Sequence, residues 1–175
     1  MDSFKDLVQK RRSYRDFTDE EIDSEYVKLI LRAALMAPTS KSRRSWHFIV
    51  VDDKMAIEKL SDAKEMGAKF LAKSSLAIVV LGAPLQNDCW IEDGAIAAFS
   101  MQLQAEELGL GSCWAQMRGR GLSDGTSADD VIRGILDIPE NYSVLCVIGF
   151  GHKKEFRALQ SEEALRWENV HINKF

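Results

Sequence analysis

The sequence predicts a single domain that mixes helices with a buried sheet, and three observations carry that expectation. The run Ser75-Leu76-Ala77-Ile78-Val79-Val80-Leu81-Gly82 is almost continuously apolar, the pattern of a central strand covered on both faces. Val27, Ile30, Leu31, Ala34 and Leu35 recur at helical spacing. At 175 residues, 46% hydrophobic and 29% charged, the chain has the size and composition to close one ordinary core instead of staying disordered.

The elements follow in order. Phe4 to Lys10 reads as a short helix that leads into a basic stretch. Thr18-Asp19-Glu20-Glu21 reads as a capping box or turn, and Asp23 as the N-cap of the helix that carries Val27 to Leu35. Pro38 stops that helix and leaves 38–45 as an extended loop before an apolar strand from Trp46 to Val51. Helical stretches are expected around Met55 to Leu60 and around Lys64 to Lys73. After the central strand, Asn87-Asp88 can cap a long, largely apolar helix to Leu108, with Gly109 as its C′ residue. Gly111 to Gln116 is a third strand and Gly119 to Gly125 a loop. Ser127 to Asp130 caps a helix through Leu136, and Val144 to Gly149 is the last strand. The tail from Lys153 carries charges and isolated aromatics (Phe156, Trp167, Phe175) without a clean period.

Composition narrows function. The net charge is −4, so no wide basic face favours nucleic acid. No apolar run approaches the roughly 18 residues of a membrane span. The opening Met1-Asp2-Ser3-Phe4-Lys5-Asp6 lacks the basic-then-apolar order of a secretory leader, which points to the cytoplasm. Cys89, Cys113 and Cys146 lack C-x-x-C spacing and have apolar or aromatic neighbours, as buried core thiols do. His47, His152 and His171 are scattered, so neither a metal site nor a general base is assigned.

Against that acidic background two dense basic segments stand out. Arg11-Arg12-Ser13-Tyr14-Arg15-Asp16-Phe17 is followed by Ala37-Pro38-Thr39-Ser40-Lys41-Ser42-Arg43-Arg44-Ser45-Trp46. Guanidinium forks with nearby hydroxyls suit a phosphate monoester, whose oxygens they bind bidentately.

Arg-Arg-Ser-x-Arg-x-Phe, Ala-Pro-Thr-Ser ahead of Trp-x-Phe, Gly-Leu-Gly-Ser-Cys-Trp, and Ile-Pro before Ile-Gly-Phe-Gly occur in register over about residues 4–157. In this the chain resembles the nitroreductase family of flavin enzymes. The resemblance implies an α+β fold, a central mixed β-sheet flanked by helices, that binds FMN at the interface of a homodimer. Residues 1–175 then form one FMN-binding domain, with the tail from about 153 packing on the partner subunit.

The resemblance also implies roles. Arg11, Arg12, Ser13 and Arg15 grip the FMN phosphate and ribityl chain. Pro38, Thr39, Ser40 and Ser42 come from the partner subunit and lie along the flavin. Ser42 is a departure, since a shorter hydroxyl stands where many relatives carry an amide. The small residues of Gly109 to Ser112 permit close approach of a flat ring or plain helix–strand packing. Gln116 borders the ring and can donate to it. Lys154 and Arg157 are candidates to complete the phosphate site. No catalytic side chain is assigned, because the flavin performs the redox step.

The expected activity is transfer of electrons from NADH or NADPH through FMN to a small acceptor such as a nitroaromatic, quinone or enone. Alternatives are a non-enzymatic flavin-binding module, or a specialised relative such as a reductive dehalogenase or a flavin-cleaving enzyme.

Overall fold

The computed structural model describes residues 3–175. Met1 and Asp2, which open the segment read as lacking a leader pattern, lie outside the described residues. Among these residues five α-helices surround one sheet: α1 (Phe4–Lys10), α2 (Ser24–Leu35), α3 (Lys54–Ser61), α4 (Trp90–Glu107) and α5 (Ala128–Leu136). The strands are β1 (Trp46–Val51), β2 (Leu76–Gly82), β3 (Leu110–Gln116) and β4 (Ser143–His152).

The strand order is β1-β2-β4-β3 and every neighbouring pair is antiparallel. The parallel component of the sheet, among the described residues, is a single bridge between Ser13 and Ser112 outside the named strands. All seven residues of β2 are buried, as its unbroken apolar run requires. One face packs Tyr14, Phe17, Ile57, Leu60, Leu71 and Ile132 over Val79 and Val147. The other packs Ile30, Ala34, Ala97, Ala98 and Met101 over Val80 and Ile148. Helix α4 therefore reads as apolar on several sides because it lies flat on the sheet while α2 and α1 cover it.

The caps follow from local chemistry. Ser3 and Asp6 form a reciprocal capping box on α1, Asp23 accepts the Glu25 N–H, and the Ser127 hydroxyl accepts the Asp130 N–H. The Thr18 hydroxyl accepts the Glu20 N–H, which makes 18–21 a turn. Helix α4 starts at Trp90 with Cys89 as its N-cap, so Asn87-Asp88 do not cap it as expected; Asn87 lies short of that position and accepts the Cys89 N–H at 3.1 Å. Gly109 sits at φ +79°, as a residue just past a helix end should.

Four further expectations need correction. Residues 64–73 are not one helix: 62–68 turn irregularly through Gly67 at φ +81°, and only a 3-10 segment, Lys69–Lys73, follows. Residues 38–45 are not extended. They hold a 3-10 turn, Ser40–Ser42, with Lys41, Ser42 and Arg44 in the left-handed region at φ +51°, +53° and +50°. Strand β4 runs three residues past Gly149, to His152, carrying the ladder to the start of the tail. Cys89 is only half-buried, unlike Cys113 and Cys146, because it occupies the N-cap position of α4 at the surface.

Among the described residues no helix is long and apolar enough to cross a membrane. The segment 153–175 is largely exposed, with Phe156, Trp167, Ile172 and Phe175 open to solvent. It touches its own chain through Gln160, whose N–H donates to the Gln9 carbonyl at 3.0 Å and whose Nε2 donates to Val8 at 2.8 Å.

Close approach of 11–18 to the ends of β3 and β4 depends on missing side chains. A Cβ on Gly151 would stand 2.7 Å from the Phe17 ring, and Phe17 is 5% exposed and has no room to retreat. Gly151→Ala should therefore destabilise the protein by about 1–3 kcal/mol, the usual cost of overpacking. Urea unfolding measures this, and an unchanged midpoint would show that Phe17 shifts freely.

Candidate functional site

Residues 11–18 leave α1 in extended conformation and run beside the sheet. The Tyr14 N–H donates to the Ser112 carbonyl at 3.0 Å, and the Thr18 N–H to the His152 carbonyl at 3.0 Å. Extended backbone alternates its side chains, so Arg11, Ser13 and Arg15 share a face that Arg12 and Tyr14 do not.

The shared face gathers around Cys113 on β3. Burial pushes the Cys113 thiol above its ordinary value, and Arg15, the Ser13 hydroxyl, Arg157 and Arg11 act against that rise. Four groups from two distant stretches thus lie near enough to the Cys113 thiol to act on it. Arg11 lies 5.9 Å from the Phe99 ring, Arg15 5.9 Å from Phe70, and Arg157 5.8 Å from Tyr14, so each guanidinium is braced by an aromatic face.

Lys64 is a member that the sequence did not disclose. It is 7% exposed, and burial holds its amine below the usual lysine range, with the charge of Arg120 adding in the same direction. Cys113 acts on it from one side. On the other, Lys64 lines a cleft of about 480 Å³ together with Met66, Trp114, Gln116 and Arg120. Nothing in its sequence neighbourhood distinguishes it from a solvated helical lysine.

Among the described residues, none of Arg11, Arg15, Arg157 and Lys64 has a carboxylate partner. Lys64 is buried, Arg11 half-buried, and Arg15 and Arg157 exposed, and a group of cations without counter-charge among the described residues suits an anion, whose oxygens guanidinium forks bind.

The remaining sequence candidates lie elsewhere. Arg12 donates to the Ala158 carbonyl at 2.7 Å and faces the tail. Lys154 faces Asp16, whose carboxyl lies below its usual range chiefly through the hydrogen bond from Lys73. Gln116 lines the cleft with its amide fixed: Oε1 accepts from Trp114 Nε1 at 3.0 Å and Nε2 donates to the Arg118 carbonyl at 2.9 Å.

Pro38, Thr39, Ser40 and Ser42 sit beside edge strand β1 and the first turn of α4. Asp93, 3% exposed, accepts the Ser40 N–H at 2.9 Å and Asn87 Nδ2 at 2.7 Å, and the same Asn87 nitrogen donates to Ser45 at 3.1 Å. The Thr39 hydroxyl accepts the Arg44 N–H at 3.1 Å. This buried network holds three non-glycine residues in left-handed backbone, a costly conformation kept where surrounding structure over-determines it. No hydrogen bond, ion pair or ring contact among the described residues joins 38–42 to Arg11, Ser13, Arg15 or Arg157. The two motif sets belong to opposite edges of the sheet and to opposite core faces.

Comparison with known proteins assigns this arrangement to a class. The Nitroreductase family model matches residues 8–77 and 63–152, and the chain belongs to that family. It is similar to the structure of an FMN-dependent nitroreductase from Clostridium difficile R20291, at 46% identity and TM-score 0.95, covering 97% of this chain and 98% of that one. A structure from Bacteroides thetaiotaomicron, provisionally described as an NADH dehydrogenase/NAD(P)H nitroreductase, superposes with TM-score 0.88 at 29% identity, covering 98% of this chain and 97% of that one. An Archaeoglobus fulgidus protein of the same provisional description is 32% identical over 174 residues, 97% of each chain.

The uncompensated charge of Lys64 makes a direct prediction. Lys64→Met should stabilise the ligand-free protein by about 0.5–2 kcal/mol, the range of surface and charge optimisation elsewhere. Denaturant unfolding without added anions is the measurement, and a loss of stability would mean that Lys64 is internally compensated.

Proposed function

We propose that this chain is an FMN-dependent oxidoreductase that passes electrons from NADH or NADPH to a small acceptor such as a nitroaromatic, quinone or enone. The observation that carries the proposal is the set of cations around Cys113 and Lys64 that have no carboxylate partner among the described residues. Arg11, Ser13, Arg15 and Arg157 hold the phosphate of FMN, with the guanidinium forks taking its oxygens. Lys64 and Gln116 line the cleft that would take the flavin ring, and a cation there would stabilise negative charge developing beside it. FMN bound there supplies redox chemistry that amino-acid side chains lack.

A homodimer completes the site. Pro38, Thr39, Ser40 and Ser42 are pre-shaped by Asp93 and Asn87 yet stand away from the cradle of their own chain, so a second copy brings them to the ring. The exposed aromatic tail from about 153 gives that copy an apolar surface to bury. The relatives support the reading through their descriptions: one is FMN-dependent, and others are described as NAD(P)H nitroreductases.

Reconstitution with FMN should give bands near roughly 370 and 450 nm, bleached anaerobically by NADH or NADPH, as cofactor-borne chemistry requires. Bands that resist bleaching by both donors would make the chain a flavin-binding module and not an enzyme. Arg11→Ala should weaken FMN binding by roughly 1.5–3 kcal/mol, the contribution of one charge-assisted hydrogen bond. Unchanged affinity would remove Arg11 from the phosphate site.

A further inference from the structure

Beside the 11–17 segment, around the Tyr14 ring, lies a buried polar cluster. Lys153 and Glu106 pair at 2.6 Å with side chains only 5% and 8% exposed, tying the residue after β4 to the end of α4. Lys153 Nζ stands 4.9 Å from the Tyr14 ring centroid, and Arg157 approaches the same ring to 5.8 Å. The Tyr14 hydroxyl accepts the Arg157 backbone N–H at 3.3 Å. Tyr14 itself is 5% exposed.

Space at this point is reserved for Tyr14. A Cβ on Gly111 would meet Tyr14 Cβ at 2.9 Å, the Phe17 ring at 3.1 Å and Lys153 Cγ at 3.2 Å. The Lys153–Glu106 pair fixes one cation under the ring, and the ring with its hydroxyl fixes a second. Arg157 otherwise belongs to the exposed tail, and the Tyr14 ring braces its guanidinium. A buried ion pair is weak evidence for stability, and in some systems it specifies one arrangement.

We propose that Tyr14, seated by the buried Lys153–Glu106 pair, is a positioning residue that fixes Arg157 in the anion cradle. The inference rests on the reading that this cradle holds the FMN phosphate. Tyr14 touches no ligand in this account; it acts through Arg157. The aromatic face and the hydroxyl make separable contributions, one to the guanidinium and one to the backbone that carries it.

The test is a double-mutant cycle on the full chain, read as FMN dissociation constants by fluorescence quenching. Arg157→Ala alone should weaken FMN binding about tenfold or more, as loss of a charge-assisted hydrogen bond does. Tyr14→Leu should weaken it to a similar degree, and Arg157→Ala added to Tyr14→Leu should then cost little more. Arg11→Ala added to Tyr14→Leu should keep its full effect, which a general loosening of the fold would not allow. Tyr14→Phe, which keeps the ring, should fall between wild type and Tyr14→Leu, and it carries the test if Tyr14→Leu does not fold. Full additivity of Tyr14 and Arg157 substitutions, or wild-type affinity in Tyr14→Phe and Tyr14→Leu alike, overturns the positioning role. Unaltered affinity in Arg157→Ala, or no binding of FMN by the wild type, instead overturns the phosphate reading on which it rests.

Discussion

Concentrating positive charge without counter-charge is the constraint from which the rest of this structure follows. Two unit charges about 8 Å apart in an effective dielectric near 20 repel by about 2 kcal/mol, so such a cluster does not assemble unaided. Here the fold imposes it. The bridge between Ser13 and Ser112 holds one arginine-bearing segment against edge strand β3, and the end of β4 delivers Arg157 from more than 140 residues further along the chain. Aromatic faces from Phe99, Phe70 and Tyr14 take the place that carboxylates occupy in an ordinary surface ion pair. The arrangement leaves the guanidinium edges free for an incoming anion, and it keeps the cost of desolvation low because arginine tolerates aromatic stacking.

The second constraint is conformational. Lys41, Ser42 and Arg44 adopt left-handed backbone without the help of glycine, and a buried Asp93–Asn87–Ser45 network holds the loop that contains them. Such strain persists only where neighbours over-determine it. Strain at β1 and charge at β3 lie on opposite edges of one sheet, and the proposed sharing of a flat cofactor between two copies would give both features a purpose.

Much of the scaffold was legible in the sequence because its signals are local. The apolar run of β2, the helical period of Val27 to Ala34 and the caps at Asp23 and Ser127 all act within a few residues. The misreadings share a different origin. Residues 64–73 have the composition of a helix, yet Gly67 takes a positive φ and the backbone turns there to bury Lys64. A desolvated lysine is set apart only by what surrounds it in three dimensions. Likewise, the four residues Arg11, Arg12, Ser13 and Arg15 read as one basic motif, but extended backbone sends Arg12 to the tail and the others to Cys113. The choice between Lys154 and Arg157 is also one of direction: Arg157 folds back over Tyr14 while Lys154 faces Asp16. The left-handed loop at 41–44 carries no glycine or asparagine, so no sequence rule marks it.

The measurement that tests the central claim most directly is a parallel titration of the protein with FMN and with riboflavin, which differ only in the phosphate. If the cations around Cys113 exist to hold that group, FMN binds at least about a hundredfold more tightly, as two or more charge-assisted contacts require. Its advantage also shrinks as salt is raised. Equal affinity for the two, or a preference that salt does not touch, contradicts the account.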